Sequence, residues 1–480
     1  MAMYKFKTEP YEHQKDALKK CWNKESFAIF AEMGTGKTKI ALDNACILYN
    51  QGKIDRLLVV APKGTYMTWV EQEIPTHVPD YVEKNVLAWK STTSAKYRAE
   101  LKNIIDLNDY RLKIMVINVE ALSTKKGVEF AKLFLIGKAM MIVDESTTIK
   151  NPQAKRTKNI LSLATEAKYR RILTGSPVTQ SPMDLWAQMD FLDPEILGQQ
   201  SYYAFRTRYA VVITANAAGG THKYQKIVKF KNLAQLGQLV SPHSYRILKK
   251  DCLDLPDKVY TRREIELTDE QQLAYKDMKA NAMAFLKGES LTAVNVLTQL
   301  LRLHQITCGH MKTDSGETLN LKNNRLDELM QILGETTGKV IIWANYIHDI
   351  LNIKNAIKKE YGEDSYCTYY GATPADERQV CIRKFQDPES KIKFFIGNTQ
   401  TGGYGITLTE ANTVIYYSNN YDLEKRLQSE DRAHRIGQKN SVLYIDMVAK
   451  GTVDDKIIKS LRNKVNIAKE ISGEELSKWI

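Results

Sequence analysis

The sequence predicts an α/β fold of two tandem parallel-sheet lobes with a helical and hairpin insertion between them. Three observations carry this: short apolar runs alternating with helical stretches, two separate series of such runs, and a middle of different character. The first series, before residue 180, is SFAIFA, RLLVVAP, KIMVINVE, AMMIVDE and YRRILTGSP. The second, from near residue 338, is GKVIIWANY, KIKFFIGN, NTVIYYSN and VLYIDMVA. Runs of four to seven apolar residues without strict alternation suit strands buried on both faces, as in a parallel sheet covered by helices. At 480 residues and 43% hydrophobic, the chain has room for two or three compact units.

The middle of the chain reads differently. A hairpin is expected where strand-like residues flank Ala217, Ala218, Gly219 and Gly220, and LDLPDK is a breaker-bounded stretch. Thr268 and Gln271 have capping-box spacing ahead of a periodic apolar stripe, so a helix is expected there. The expected division is residues 1–250 for the first lobe, with an insertion at about 186–250, then a connecting segment over 251–325. A second lobe over 326–465 and a tail over 466–480 complete it.

Lysine and arginine total 69 against 56 acidic residues, a formal charge of +13, which favours a polyanionic partner without identifying one. The six cysteines form no CxxC pair, so reduced structural thiols are expected, with no zinc or redox motif. The N-terminus lacks the apolar core of a signal peptide, and no run reaches the roughly 18 apolar residues of a membrane span. A cytoplasmic site is expected, nucleoid-associated or in a virus-infected host cell, or nuclear if the source is eukaryotic.

Directly after SFAIFA comes AEMGTGKT, followed by the helical stretch KTKIALDNACILYN. Gly34, Thr35 and Gly36 let the backbone curl so that successive amide hydrogens face phosphates. Lys37 can reach the β and γ phosphates of ATP, and Thr38 a magnesium ion. About a hundred residues later, the run ending Met141, Ile142 and Val143 delivers Asp144 and Glu145 to a strand end. Asp144 suits the magnesium ion, and Glu145 suits orienting and deprotonating the attacking water, because phosphoryl transfer depends on positioning and charge neutralisation.

With these motifs in place the sequence resembles the superfamily 2 helicases, and within them the Swi/Snf-like translocases on double-stranded DNA, across almost its whole length. That resemblance implies two RecA-like lobes. Tyr11, His13 and Gln14 resemble the upstream element that reads adenine. APKGTYMTWVEQEI, with Pro62, Lys63 and Trp69, resembles a segment facing the nucleic acid. DESTTIKN, with Lys150 and Asn151, resembles the extended acidic motif, and Thr174, Gly175, Ser176 and Pro177 the coupling motif.

In the second lobe, Gly371, Thr373 and Arg378 resemble a family segment, and Thr401, Gly402, Gly403 and Gly405 a loop touching nucleic acid and nucleotide. The resemblance gives Pro62, Lys63, Thr373, Arg378, Thr401 and Gly402 to nucleic acid and Gly405 to the nucleotide. QSEDRAHRIGQ matches the final motif nearly letter for letter, with Gln428, Arg432, His434, Arg435, Gly437 and Gln438. It implies that Gln428, Arg432 and Arg435 serve the nucleotide and that the two guanidiniums neutralise charge developing on the γ phosphate.

Departures point to a divergent branch: Ala31 replaces the usual first glycine of the phosphate loop, Thr147 a coupling histidine, and Thr407 an asparagine. Tyr421, Asp422 and Leu423 stand where Trp, Asn and Pro are common. Cys308 and His310 offer two potential metal ligands and read as structural. The resemblance implies an ATP- and magnesium-dependent motor on duplex DNA, with low sequence specificity and unknown protein partners. RNA stays an alternative track, and strand separation or an ATP-switched clamp are alternative activities. The compact size and lack of reader modules look more like a viral or prokaryotic stand-alone motor. A last expectation lies outside the resemblance: His222, Lys223, Lys226, Lys229 and Lys231, interleaved with Tyr224 and Phe230, let the hairpin engage DNA as a pin. The alternative is a solvated edge guarded by lysines.

Overall fold

All nine apolar runs become interior strands of two parallel sheets. The structure, a computed structural model, describes residues 4–91, 94–199, 201–216, 223–288, 293–312, 317–402 and 406–472. It divides into two compact units. One comprises Met1–Val211, Phe230–Asp254 and Val465–Ile480, the other Val212–Lys229 and Leu255–Lys464.

The first unit's sheet has seven strands, in the order Lys84–Ala88, Leu112–Asn118, Arg56–Ala61, Ala139–Asp144, Tyr169–Thr174, Ser26–Ala31 and Ser244–Ile247. Every neighbouring pair is parallel. The second unit's sheet has six, in the order Lys258–Ile265, Val442–Ala449, Ala411–Tyr416, Lys339–Trp343, Phe394–Gly397 and Tyr366–Tyr369, again all parallel. Its two faces explain the unbroken apolar runs. Val340, Ile342, Phe394, Ile396 and Ile415 pack in one cluster, while their chain neighbours Ile341, Trp343, Phe395, Val414 and Tyr416 pack in another. Successive side chains point to opposite faces, and both faces are covered.

Strand Lys258–Ile265 pairs with Val442–Ala449, so part of the segment expected as a connector supplies an edge of the second sheet. The helix after Thr268 forms as its capping box predicts. The Thr268 amide donates to Gln271 Oε1 at 3.2 Å, and the Gln271 amide to Thr268 Oγ1 at 3.3 Å, at the head of Asp269–Gly288. Strands Ala210–Asn216 and Lys223–Phe230 make a two-stranded sheet of their own. The hairpin tip with Ala217, Ala218, Gly219, Gly220 and His222 lies outside the described residues.

The expectation of reduced thiols needs correction. Cys21, Cys46, Cys252 and Cys308 are free, but Cys367 and Cys381 are joined in a disulfide. Packing of helix Ala375–Gln386 on strand Tyr366–Tyr369 brings their Cα atoms to 5.7 Å, a span that a disulfide bridges. Fourteen residues of separation carried no local signature of this pairing. No helix among the described residues is long and apolar enough to cross a membrane.

Candidate functional site

The phosphate loop is held by its neighbours in the first sheet. Strand Ser26–Ala31 runs between Tyr169–Thr174 and Ser244–Ile247. Buried Arg171 ties the approach to this strand by donating to Asn44 Oδ1 and to the carbonyls of Cys21, Lys24 and Glu25. Beyond the strand the chain turns through Gly34 and Gly36 at φ of 82° and 84°, a region glycine enters without steric cost. Gly36 is the N-cap of helix Lys37–Asn50, and no side chain caps that end. The helix start thus points its amides and dipole to the position where an anion would sit.

The upstream element clamps this loop from behind. Buried Gln14 accepts from the Tyr11 amide at 3.1 Å and donates to the Thr35 carbonyl at 3.1 Å. A Cβ on Gly36, already strained at φ 84°, would stand 2.2 Å from Gln14 Nε2 and push that side chain aside. His13 Nε2 lies 2.9 Å from the same Thr35 carbonyl, and Tyr11 stacks its exposed ring on His13. Thr35 is locked in turn, its hydroxyl donating to the Glu32 carbonyl at 2.7 Å.

Strand Ala139–Asp144 lies one strand away, so the acidic pair reaches the loop. Lys37 Nζ meets Glu145 Oε1 at 2.9 Å, and both side chains are largely buried. Glu145 sits at φ 47°, ψ 63°, a left-handed conformation costing a non-glycine residue on the order of 1 kcal/mol. Burial and the Glu145 charge push the Asp144 carboxyl up to about 6, while Lys37 and a hydrogen bond from Trp69 oppose the rise. Thr38, half-buried, is the second residue of the helix. The structure therefore brings together Tyr11, Gln14, Gly34, Thr35, Gly36, Lys37, Thr38, Asp144 and Glu145. A lysine at a helix start, a hydroxyl and two carboxylates suit a magnesium-bound polyphosphate.

Two residues of this neighbourhood carried no sequence signal for their contacts. Trp69, expected beside the nucleic-acid-facing segment, is buried, and its indole N–H donates to Asp144 Oδ2 at 3.0 Å. It opens a π-helical turn, Trp69–Glu73, a local widening frequent at functional sites. Pro62 is buried and Lys63 exposed at the end of strand Arg56–Ala61. Gln188, on helix Leu185–Leu192, accepts from Ser146 at 2.6 Å and donates to the Pro177 carbonyl at 2.7 Å. It joins the residue after the acidic pair to the TGSP turn. Lys150 donates to Thr179 at 2.9 Å, adding a second link between the same segments.

In the second unit, Arg378 donates to the carbonyls of Tyr370 and Gly371, both at 2.9 Å, and buried Thr373 donates through its amide to Tyr370 at 3.0 Å. Both residues hold the turn after strand Tyr366–Tyr369. Thr401 and Gly402 end the short helix Thr399–Gly402, while Gly403 and Gly405 lie outside the described residues. The final motif splits by burial. Arg432 is fully buried and donates to the carbonyls of Gln428 at 3.0 Å and Ile406 at 3.1 Å. Arg435 is partly exposed and donates to the Thr407 hydroxyl at 2.9 Å. Buried Gln428 donates to Glu424 at 3.3 Å, and Gln438 donates to three carbonyls of the surrounding turns.

Two parallel α/β units, one with a phosphate loop and acidic pair and the other with the arginine motif, define a helicase-type class. Residues 13–312 match the SNF2-related domain, and residues 321–437 the helicase conserved C-terminal domain. The chain belongs to the SNF2-related domain family. It is 27% identical over 479 residues to the CHD3-type chromatin-remodeling factor CHR7 of Arabidopsis thaliana, covering 95% of this chain and 37% of that protein. Identity to the transcription regulatory protein SNF2 of Saccharomyces cerevisiae is 28% over 469 residues, covering 91% of this chain and 26% of that one. The chain thus spans about a quarter to two fifths of the length of these relatives. Among solved structures, it is 27% identical to the Sulfolobus solfataricus SWI2/SNF2 ATPase core in complex with dsDNA. That match has a TM-score of 0.45 and covers 98% and 94% of the two chains. Six curated relatives come from a plant, yeasts, a fly and a nematode and give the expectation of a viral or prokaryotic source no support.

Proposed function

We propose that this chain is a magnesium- and ATP-dependent motor that moves along duplex DNA and remodels protein–DNA or branched DNA structures. The observation that carries this is Lys37 held on Glu145 beside buried Asp144, in a chain of the SNF2-related family. ATP supplies the phosphoanhydride bond whose hydrolysis drives movement, and its phosphates and magnesium ion would be held by Lys37, Thr38, Asp144 and the amides after Gly34. Lys37 must exchange Glu145 for phosphate when nucleotide enters. That exchange frees Glu145 to act as base, so the ion pair keeps the base occupied in the nucleotide-free chain. Tyr11 offers an exposed aromatic face to a base, and Arg435 supplies the cation for charge developing in hydrolysis.

Lys63, Arg378 and Thr401 are the proposed nucleic-acid contacts, with buried Pro62 and Thr373, and Gly402, shaping the turns that carry them. Exposed Lys226 and Lys229 on the hairpin add to them. Contacts of this kind are to the backbone and give affinity without sequence preference. ATP turnover measured with duplex DNA, single-stranded DNA and RNA as separate activators tests the track. Duplex DNA is expected to stimulate most. Equal or greater stimulation by RNA or single strands would point to an RNA or strand-separating motor instead.

The state of Asp144 gives a further expected outcome. Hydrolysis needs its ionised form, so activity should fall as pH drops through about 6. The Trp69 N–H favours that ionised form. Trp69→Phe should therefore shift the acidic limb of kcat/KM upward, by about half to one pH unit. A limb that stays in place, or moves down, would show that the indole does not set the charge of Asp144.

A further inference from the structure

Away from the nucleotide residues, the second unit gathers three potential metal ligands from segments separate in sequence. His310 begins strand His310–Lys312, which follows helix Ala293–Thr307, while His348 and Asp349 lie in the first turn of helix Ile347–Tyr361. Nδ1 of His310 stands 3.1 Å from Asp349 Oδ1, and Nδ1 of His348 stands 3.9 Å from the same oxygen. One donor atom from each residue lies within 4.8 Å of the other two.

The hydrogen bonding of this group is incomplete. His310 is 2% exposed and Asp349 1%, yet among the described residues neither carboxylate oxygen of Asp349, nor Nδ1 of His310, has a well-aligned hydrogen-bond partner. At 3.1 Å the ring nitrogen's bonding direction misses the carboxylate, so this pair lacks the alignment of a hydrogen-bonded ion pair. A buried carboxylate without partners is costly, and such orphans call for an explanation. Nearby Arg325 is engaged by Asp454 in a buried ion pair. The cluster itself therefore contributes one negative charge and two imidazoles.

The tautomer of His348 is already that of a ligand. Its Nε2 lies 2.6 Å from Asn320 Oδ1, an oxygen that only accepts, so Nε2 carries the proton and Nδ1 the lone pair. Fixing one ring nitrogen through a hydrogen bond so that the other can coordinate is the usual outer support of a metal-bound histidine. Asn352 Nδ2, at 3.3 Å from Nδ1, is the group a metal would displace. The ring of Tyr346 packs edge-on against His310 and limits its rotation.

We propose that His310 Nδ1, His348 Nδ1 and Asp349 Oδ1 form a binding site for a divalent transition metal of the zinc type. Two imidazoles and one carboxylate suit such a borderline ion, whereas magnesium and calcium favour oxygen ligands throughout. A tetrahedral site with bonds of roughly 2.0–2.1 Å places its donors about 3.3 Å apart. The His310–Asp349 pair has that spacing, and rotation of the more exposed His348 closes the rest. Water would complete the shell, as at zinc sites with three protein ligands. The metal fastens the end of the Ala293–Thr307 segment to the helix that follows central strand Lys339–Trp343.

The test titrates zinc ion alone into the full chain, stripped by chelator, against a chromophoric competitor. An Asp144→Asn background keeps metal binding near the acidic pair out of the count. One zinc per chain is expected, together with a rise in Tm, and cobalt should give the d–d bands of a tetrahedral site. Asp349→Asn and His348→Gln should each weaken zinc binding by about 100-fold or more, since loss of outer-shell support alone costs 10- to 100-fold. If Asp349→Asn fails to fold, the partly exposed His348→Gln decides the matter, its folding checked by circular dichroism. Absence of stoichiometric zinc binding, or unchanged affinity in folded His348→Gln, would overturn the site.

Discussion

Glu145→Gln is expected to leave a chain that binds ATP at least as tightly as the wild type and turns it over about 100- to 10,000-fold more slowly. The slow turnover follows from loss of the base. The retained or tighter binding follows from the 2.9 Å ion pair, because Lys37 no longer has to leave a carboxylate to meet phosphate. Lys37→Ala should behave oppositely and weaken ATP binding by about tenfold to a hundredfold, the range for losing a hydrogen bond to a charged group. It also leaves Glu145 facing Asp144 without a cation. Equilibrium binding of a non-hydrolysable analogue and single-turnover hydrolysis separate the two variants. Wild-type turnover by Glu145→Gln would remove it as the base, and weaker analogue binding would remove the competing ion pair.

The two arginines of QSEDRAHRIGQ should part company. Arg435→Ala is expected to leave Tm within a degree or two of the wild type and to lower DNA-stimulated hydrolysis by about tenfold or more, as removing a transition-state cation does. Arg432→Ala should first of all destabilise the second unit. Its buried guanidinium satisfies the Gln428 and Ile406 carbonyls, and orphaning them costs about 2–3 kcal/mol, or roughly 5–10 °C in Tm for a unit of this size. Thermal melts and DNA-stimulated turnover on both variants check this. Equal melting temperatures would place Arg432 outside the packing, and unimpaired hydrolysis by Arg435→Ala would remove it from catalysis.

How far the fold is legible in the sequence depends on burial. The nine apolar runs are the nine interior strands, while the strands of the two large sheets that escaped notice are their four edges: Lys84–Ala88, Ser244–Ile247, Lys258–Ile265 and Tyr366–Tyr369. An interior strand of a covered parallel sheet must be apolar on both faces. An edge strand need not be, and KVYTRREI carries four charged residues and is mostly exposed. The phosphate loop and acidic pair were legible because each is a local strand-to-loop pattern whose chemistry dictates its residues. Trp69 on Asp144, Gln188 between Ser146 and Pro177, and the Cys367–Cys381 bond were not, since each depends on segments that meet only on folding. His310 was visible beside Cys308, but its nearest potential co-ligands come from a helix nearly forty residues later.

Movement along duplex DNA is the central claim, and displacement of a third strand from a triplex tests it most directly, because a motor tracking the duplex must push that strand off without opening the duplex beneath. With ATP and magnesium, the wild-type chain is expected to release the third strand at a rate that follows its hydrolysis, and Glu145→Gln to release none. ATP turnover stimulated by duplex DNA without release, or release only where the duplex itself is unwound, would contradict it.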